Sequence, residues 1–306
     1  MNPFRKHVGT AFLTSCAVSA LFVLVFSATM SFQKNALPAA VSQATSLPST
    51  ADFPVTAHAA YVYDASTGRV LFEKNANAQL PLASITKVML ALVAHETIPL
   101  DAVVHIRATA LGSEGDTGLH AGEEWQLQDL IDATLVPSSN DGALALAYET
   151  GNRLPGDEDP VKKTVEAMNR KARALGLAQT YFLNPTGLDE SLTTAGAYGS
   201  ARDIAALLHY AIRERPEALQ GTARDGTLLM SLSGIEHVTH NTNVSIPEIP
   251  GLLAGKTGFT DLAGGNLAVV FDASIGRPIF VVVLGSTHEG RFQDVERLVQ
   301  LARDNL

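Results

Sequence analysis

A serine and a lysine three positions apart, Ser84 and Lys87, have the residue types of a nucleophile and its base. Pro81 interrupts the chain before them and an apolar run, residues 88–93, follows, so we expect a helix that begins at Ser84. Residues three apart share a helix face, which brings the lysine amine near the serine hydroxyl. The helix N-terminus also places the backbone N–H of Ser84 where negative charge is favoured. Lys87 would take the hydroxyl proton if burial and a second cation lowered its pKa.

The spacing alone is weak support, because serine and lysine are both common residues. Ser31 and Lys34 repeat the same pattern in a stretch with no predicted scaffold to hold it. We therefore give weight to Ser84 only in combination with motifs elsewhere in the chain.

Two such motifs follow in order. Ser138 and Asn140 lie after Pro137, at the junction of two apolar helical patterns, where a short turn can project a hydroxyl and an amide into a cleft. Lys256-Thr257-Gly258 lies in a predicted edge strand, and its glycine permits close approach of the backbone to a ligand. Ser-x-x-Lys, Ser-x-Asn and Lys-Thr-Gly in this order are typical of penicillin-binding proteins and class A β-lactamases.

Each of these residues also has an ordinary structural interpretation. Ser84 could be a helix N-cap, Asn140 or Asp141 could cap the next helix, and Lys256 could be a solvated strand residue. Any one of these alternatives is reasonable alone, but all of them together are improbable.

The elements that must position the motifs are predicted from hydrophobic periodicity. Residues 60–64 and 69–72 form one hairpin, and residues 267–271 and 278–284 form another. Helical spacing covers most of the chain between them, in residues 84–94, 126–135, 141–148, 160–175 and 200–212, and returns at 292–302. We expect an α+β fold in which both chain ends build one antiparallel sheet, flanked by helices and with a helical lobe beside it.

From about residue 57 to 303 the sequence resembles the low-molecular-mass penicillin-binding proteins, specifically the serine D-alanyl-D-alanine carboxypeptidases. The resemblance is carried by residues 80–89, 137–143, 168–172 with 175–176, 184–189, 200–203 and 255–261 with 263–264. It implies a β-lactamase/transpeptidase-like fold without a cofactor or metal. It also implies a partner, the peptidoglycan stem peptide ending in D-Ala-D-Ala, and β-lactam antibiotics as covalent inhibitors.

The resemblance also implies roles for the motif residues. Ser84 attacks the carbonyl between the two D-alanines, Lys87 takes its proton, and Ser138 relays a proton to the departing D-Ala. Asn140 holds Lys87 and the substrate backbone, while Lys256 and Thr257 lie near the terminal carboxylate. Gly258 leads to Phe259, whose backbone N–H forms the oxyanion hole with that of Ser84.

Two departures from the family pattern affect these expectations. Some relatives carry an arginine shortly before the Lys-Thr-Gly strand, where this chain reads His240-Asn241-Thr242-Asn243, so carboxylate recognition is left open. The best-known relatives also have a C-terminal β-domain and an amphipathic membrane helix, for which we expect an N-terminal anchor to substitute.

Three other functions compete with the carboxypeptidase. A class A β-lactamase needs a Glu-x-x-Leu-Asn element, but Thr180 stands where its glutamate should precede Leu183-Asn184. A D,D-endopeptidase that cuts cross-links has nearly the same chemistry and is left open. A non-catalytic peptidoglycan-binding scaffold would be expected to lack the nucleophile or base, and both are present.

The N-terminal segment is expected to be a membrane anchor. Residues 8–30 carry no charge, follow Arg5 and Lys6, and at about 1.5 Å per residue could span a bilayer core of roughly 30 Å. A cleaved signal peptide is the alternative, and a lipoprotein at Cys16 fits less well. We therefore predict an anchor at 1–30, a flexible linker at 31–56 and a catalytic domain at 57–306, outside the cell membrane.

Composition excludes other classes. A net charge of −9 argues against nucleic-acid binding, and one cysteine permits no intrachain disulfide. His237 and His240 lack a zinc-binding frame, so we interpret them as ordinary histidines. Arg202 and Asp203 begin an amphipathic helix, and we assign them to structure.

Overall fold

The computed structural model describes residues 53–112, 114–115 and 118–306. Its elements, in chain order, are β1 (Ala59–Asp64), β2 (Arg69–Lys74), β3 (Leu80–Pro81), α1 (Thr86–Thr97), β4 (Val103–His105), β5 (Glu124–Gln126), α2 (Leu127–Leu135), α3 (Asn140–Arg153), α4 (Pro160–Ala174), β6 (Tyr181–Phe182), β7 (Ala197–Gly199), α5 (Ala201–Glu214), β8 (Gly226–Met230), β9 (Glu236–His240), β10 (Leu252–Thr260), β11 (Gly264–Asp272), β12 (Pro278–Ser286) and α6 (Gly290–Asp304).

The main sheet joins the two ends of the described chain. Its strand order is β10-β11-β12-β1-β2, and every neighbouring pair is antiparallel. The pairing of β1 with β12, with Ala60 opposite Val283, closes the sheet between segments more than 200 residues apart. The predicted α+β fold, with one antiparallel sheet built from both chain ends, is therefore confirmed.

Both faces of this sheet are covered, which explains the nearly continuous apolar sequence of β12. Val281 and Val283 point to the face covered by α6, where they join a buried cluster with Val295 and Leu298. Phe280, Val282 and Leu284 alternate with them and belong to the core shared with the helical lobe. Side chains alternate between the faces of a strand, so a strand buried on both faces has little polar content.

Helix α1 is the centre of the helical lobe. All its residues from Thr86 to His95 are buried, so this part of the helix has no solvent face. The core that surrounds it includes Trp125 and residues of α2, α3 and α4. A helix packed on all sides holds its first turn, and the residue before it, in a fixed place.

The predicted hairpins and helices are found close to their expected limits. Ser139 caps α3 by accepting a hydrogen bond from the N–H of Gly142 at 2.9 Å, and Ser200 caps α5. The residue at the N-cap of α1 is Ile85, which makes no capping bond. Ser84 and Asn140 are therefore not helix caps, and their side chains remain available for other contacts.

The predicted anchor and most of the predicted linker lie outside the described residues. Among residues 53–306, apart from the gaps at 113 and 116–117, no helix combines the length and apolar character needed to cross a membrane.

Candidate active site

Ser84 lies in a single 3-10 turn, Ala83–Ile85, directly before α1. The turn begins with Ala83 at a φ of 47°, in the left-handed region that non-glycine residues seldom occupy. The carbonyl of Ala83 accepts a hydrogen bond from the Thr86 hydroxyl at 2.7 Å. The turn thus leaves Ser84 partly exposed at the end of a buried helix, where a substrate can reach its hydroxyl.

The amine of Lys87 is surrounded by three oxygen atoms. Its Nζ lies 2.8 Å from Ser84 Oγ, 2.7 Å from Asn140 Oδ1 and 2.9 Å from the carbonyl oxygen of Thr186. The amide and carbonyl oxygens can only accept hydrogen bonds, whereas a hydroxyl can also donate one. An ammonium donates to all three oxygens, whereas a neutral amine can donate to Asn140 and Thr186 and accept a hydrogen bond from the Ser84 hydroxyl.

The surroundings of Lys87 favour this neutral amine. The side chain is fully buried, and burial lowers its pKa well below the usual lysine range. The positive charge of Lys256 lowers the pKa of Lys87 further. The two conditions expected from the sequence, burial and a neighbouring cation, are both present.

Ser138 and Lys256 form the opposite side of the site. Ser138 lies in the connection between α2 and α3 with a φ of 64°, and its Oγ accepts a hydrogen bond from Lys256 Nζ at 2.8 Å. Lys256 also donates to the carbonyl of Thr257 at 2.9 Å and is only 2% exposed. Burial, and then the guanidinium of Arg291, lower the pKa of Lys256 to about 7. Lys256 is therefore not the solvated strand residue of the alternative interpretation.

Strand β10 presents its backbone to the nucleophile. Within the part of the chain that the structure describes, β10 pairs with β11 alone and is an edge strand, as predicted. A Cβ atom added to Gly258 would lie 2.8 Å from the carbonyl oxygen of Leu82 and 3.1 Å from the backbone nitrogen of Ser84. Gly258 thus allows the strand to approach the Ser84 turn closely. Phe259 follows as an exposed side chain, and its backbone lies beside this contact.

Three contributors were not identified from the sequence. The carbonyl of Thr186 accepts a hydrogen bond from Lys87. The buried guanidinium of Arg291 donates to the Gly258 carbonyl at 2.8 Å. Thr242 Oγ1 lies 2.5 Å from Thr257 Oγ1. Thr242 occupies the stretch in which some relatives carry an arginine, and Thr186 belongs to one of the segments that resemble the family. No sequence pattern singles out Arg291.

The loop that contains Thr186 is packed directly on the nucleophile turn. Asn184 Oδ1 accepts hydrogen bonds from the backbone of Thr186 at 3.2 Å and of Gly187 at 2.7 Å. Gly187 has a φ of 81°, and a Cβ atom there would lie 2.0 Å from the carbonyl oxygen of Ala83. This loop therefore requires glycine at position 187.

Residues assigned to structure have structural contacts. Arg202 pairs with Glu73 at 2.7 Å, and Asp203 accepts from the backbone of Gln179 and the hydroxyl of Thr180. The hydroxyl of Thr180 is thus bound to a carboxylate in the first turn of α5.

The histidine pair does not form a site. His237 is buried, with Nε2 2.9 Å from Glu123 Oε2, while His240 is exposed. Three positions apart on a strand, they point to opposite faces. Among the described residues, no cluster of three His, Cys, Asp or Glu side chains is arranged to hold a metal ion.

The second serine–lysine pair, Ser31 and Lys34, lies outside the described residues.

Comparison with known proteins identifies similar chains. Residues 43–288 match the D-alanyl-D-alanine carboxypeptidase family. A D-alanyl-D-alanine carboxypeptidase of Bacillus subtilis is 31% identical over 83% of this chain, which spans 64% of that relative's length. A D-alanyl-D-alanine endopeptidase of Pseudomonas aeruginosa is 34% identical over 78% of this chain and 74% of its own length.

Solved structures agree with these sequence matches. A D-alanyl-D-alanine carboxypeptidase from Mycobacterium tuberculosis superposes with a TM-score of 0.69 and 27% identity, over 81% of this chain and 91% of that one. A penicillin-binding protein from Listeria monocytogenes, in an ampicillin-bound form, superposes with a TM-score of 0.68 and 28% identity, over 81% and 98%.

Proposed function

Because the chain belongs to the D-alanyl-D-alanine carboxypeptidase family, we propose that it removes the terminal D-Ala of peptidoglycan stem peptides through an acyl-enzyme on Ser84. The observation that carries this proposal is the buried Lys87 amine. It contacts the Ser84 hydroxyl, and its other two hydrogen-bond partners can only accept. This arrangement suits a lysine that takes a proton from the serine.

The first half of the reaction forms an ester. Ser84 Oγ attacks the carbonyl carbon of the penultimate D-Ala as its proton passes to Lys87 Nζ. The resulting oxyanion is stabilised by the backbone N–H groups of Ser84 and Phe259. When the C–N bond breaks, the proton that Lys87 accepted passes by way of the Ser138 hydroxyl to the departing D-Ala nitrogen, and Lys87 is again a neutral amine. Lys256 holds the Ser138 hydroxyl at 2.8 Å. Water then hydrolyses the ester and releases the shortened peptide.

The carboxylate of the terminal D-Ala is recognised without an arginine at position 242. Lys256 supplies positive charge, and the paired hydroxyls of Thr242 and Thr257 supply donors. The backbone N–H of Thr242 donates to the Val136 carbonyl at 3.2 Å, which places Thr242 beside the segment that leads to Ser138. The Asn140 amide completes the site on the side of Lys87.

A D,D-endopeptidase is the second candidate. The relatives named D-alanyl-D-alanine endopeptidases in Pseudomonas aeruginosa and Escherichia coli are matched over 74% and 86% of their lengths, a larger share than in the Bacillus relative. The same acyl-enzyme chemistry would cut a D-Ala bond to the next stem peptide instead of a bond to free D-Ala.

We also propose a location and inhibitors. Residues 8–30 would anchor the chain in the cell membrane, with the catalytic domain on the outer side, because the uncharged run follows Arg5 and Lys6. β-Lactams would acylate Ser84, as the ampicillin-bound and cefotaxime-bound forms of the Listeria relative suggest.

The test uses the full chain in detergent. Free D-Ala should be released from a stem pentapeptide faster than a cross-linked dimer is cut, and a labelled penicillin should attach to the protein. Ser84→Ala should abolish all three signals, while Ser31→Ala should leave them unchanged. Dimer cleavage without D-Ala release would favour the endopeptidase. A folded chain that neither labels nor cleaves would leave only a binding scaffold.

A further inference from the structure

Arg291 is a buried cation in the first turn of α6, on the far side of β10 from the nucleophile. It is 5% exposed and lies over the ring of Phe292, with its Nη1 donating to the carbonyl of Gly258 at 2.8 Å. The ion pairs formed by the described residues do not include Arg291. Its Nη2 lies 3.3 Å from His288 Nε2, and the charge of Glu289 acts on it without forming an ion pair. A guanidinium buried without a carboxylate in hydrogen-bond reach costs stability, which makes its contact with the Gly258 carbonyl a candidate for a functional role.

The peptide that Arg291 holds is the one that carries the Phe259 N–H. The Gly258 C=O and the Phe259 N–H belong to one planar trans peptide and point in opposite directions. Arg291 approaches from the β11 side, because a Cβ atom added to Gly265, the register partner of Phe259, would lie 3.3 Å from Arg291 Cδ. The Phe259 N–H is therefore directed away from β11, toward the free edge of β10 that faces the Ser84 turn.

We infer that Arg291 is a positioning residue that fixes the Gly258–Phe259 peptide. The Phe259 N–H then points at the oxygen of the substrate carbonyl group that Ser84 attacks. This inference rests on the proposed function of Ser84. A charged donor on the carbonyl oxygen also polarises the peptide and makes its N–H a stronger donor. Arg291 thus acts on the oxyanion through the backbone, without touching the substrate.

The charge of Arg291 has a second effect. Burial is the larger cause, and the charge of Arg291 the second, of the lowering of the Lys256 pKa to about 7. Removal of the guanidinium should therefore raise the pKa of Lys256 and change the pH dependence of acylation. A residue that served only to stabilise the fold would not alter this dependence.

The test compares Arg291→Met with a matched control on the same helix. Arg303 also lies over an aromatic ring, that of Phe271, and donates to a backbone carbonyl, that of Pro250, which precedes β10. We expect Arg291→Met to slow acylation by labelled penicillin about 100-fold, which is typical when an oxyanion donor is lost. The falling limb of its pH profile, set by loss of the Lys256 charge, should also move to higher pH, because the pKa of Lys256 rises without the guanidinium. Arg303→Met should change neither property.

A second readout is independent of activity. In protein labelled with ¹⁵N-phenylalanine, the Phe259 amide signal, assigned by its loss in Phe259→Leu, should move in Arg291→Met and stay in place in Arg303→Met. A moved signal with slower acylation supports the inference, and an unmoved signal in a folded variant overturns it. If Arg291→Met does not fold, Arg291→Lys takes its place: a partial change in both readouts supports the inference, and wild-type values for both overturn it. Failure of the proposed function would appear separately, as a wild-type chain that never labels.

Discussion

The Nζ atom of Lys87 lies 2.8 Å from the Oγ atom of Ser84, and the two residues belong to one continuous turn and helix. Their separation is thus set by local backbone geometry. Asn140 and Thr186 come from distant segments, and their hydrogen bonds set how the Lys87 amine is oriented toward the Ser84 hydroxyl.

Asn140→Asp should abolish most activity. The new carboxylate would lie where Oδ1 now accepts from Lys87 at 2.7 Å, and a negative neighbour favours the charged amine. Because the protonated lysine cannot act as a base, we expect acylation at neutral pH to fall about 100-fold or more. Asn140→Ala removes the hydrogen bond without adding charge and should cost only about tenfold. Equal losses in the two variants, measured as penicillin acylation rates, would contradict the charge argument.

Lys256→Met should move the rising limb of the acylation pH profile toward higher pH. Lys87 must be neutral to act, so the rate increases as pH rises through its pKa. The Lys256 charge contributes to lowering that pKa, and its loss should raise it. Lys256→Arg keeps a cation and should leave the limb closer to that of the wild type. Stopped-flow acylation between about pH 5 and 10 measures both variants, and an unshifted limb in Lys256→Met would be inconsistent with coupling of the two lysines.

Gly187→Ala should destabilise the protein severely and reduce labelling of Ser84. The added Cβ atom would lie 2.0 Å from the Ala83 carbonyl oxygen, so the turn that carries the nucleophile must move. Gly176 is the matched control, because it has a φ of 71° and nothing within 4 Å of an added Cβ atom. Gly176→Ala should show only the left-handed backbone cost, roughly 1–2 kcal/mol. Thermal unfolding separates the two, and similar losses would show that the contact with Ala83 has little effect.

Thr242→Val should weaken discrimination between substrates that end in a carboxylate and those that end in an amide. The hydroxyl of Thr242 lies against that of Thr257, and its loss removes one donor for the terminal carboxylate. We expect KM for a free-acid peptide to rise about tenfold while KM for the matching C-terminal amide stays the same. Thr242→Ser keeps the hydroxyl and serves as the control. A uniform rise for both peptides would indicate damage to the site instead of lost recognition.

The sequence allowed prediction of whatever depends on side-chain type and regular spacing. The hairpins followed from apolar runs around turns, and Ser84, Ser138 and Lys256 were found because their motifs occur in a fixed order. Thr186 was missed as a contributor because its backbone carbonyl makes the contact, and a backbone atom leaves no signature in residue type. Arg291 was missed because its role depends on how α6 packs against the sheet, which no local pattern encodes. The left-handed backbone of Ser138 was also unpredictable, since glycine is the usual indicator of that conformation.

The burial of α1 from Thr86 to His95 has a consequence for motion within the site. Ser84 and Lys87 lie on the lobe side of the site, whereas Lys256 and Phe259 belong to the sheet. A hydrogen bond from Lys256 joins Ser138 to the sheet. A breathing motion that parts the sheet from the lobe would lengthen the Lys256–Ser138 contact and open the cleft to a bulky polymer strand. Ser84 and Lys87 would stay within hydrogen-bond reach of each other during that motion, whereas the Phe259 N–H would move away with the sheet, so the pair is kept ready for attack and acylation resumes only when the cleft closes.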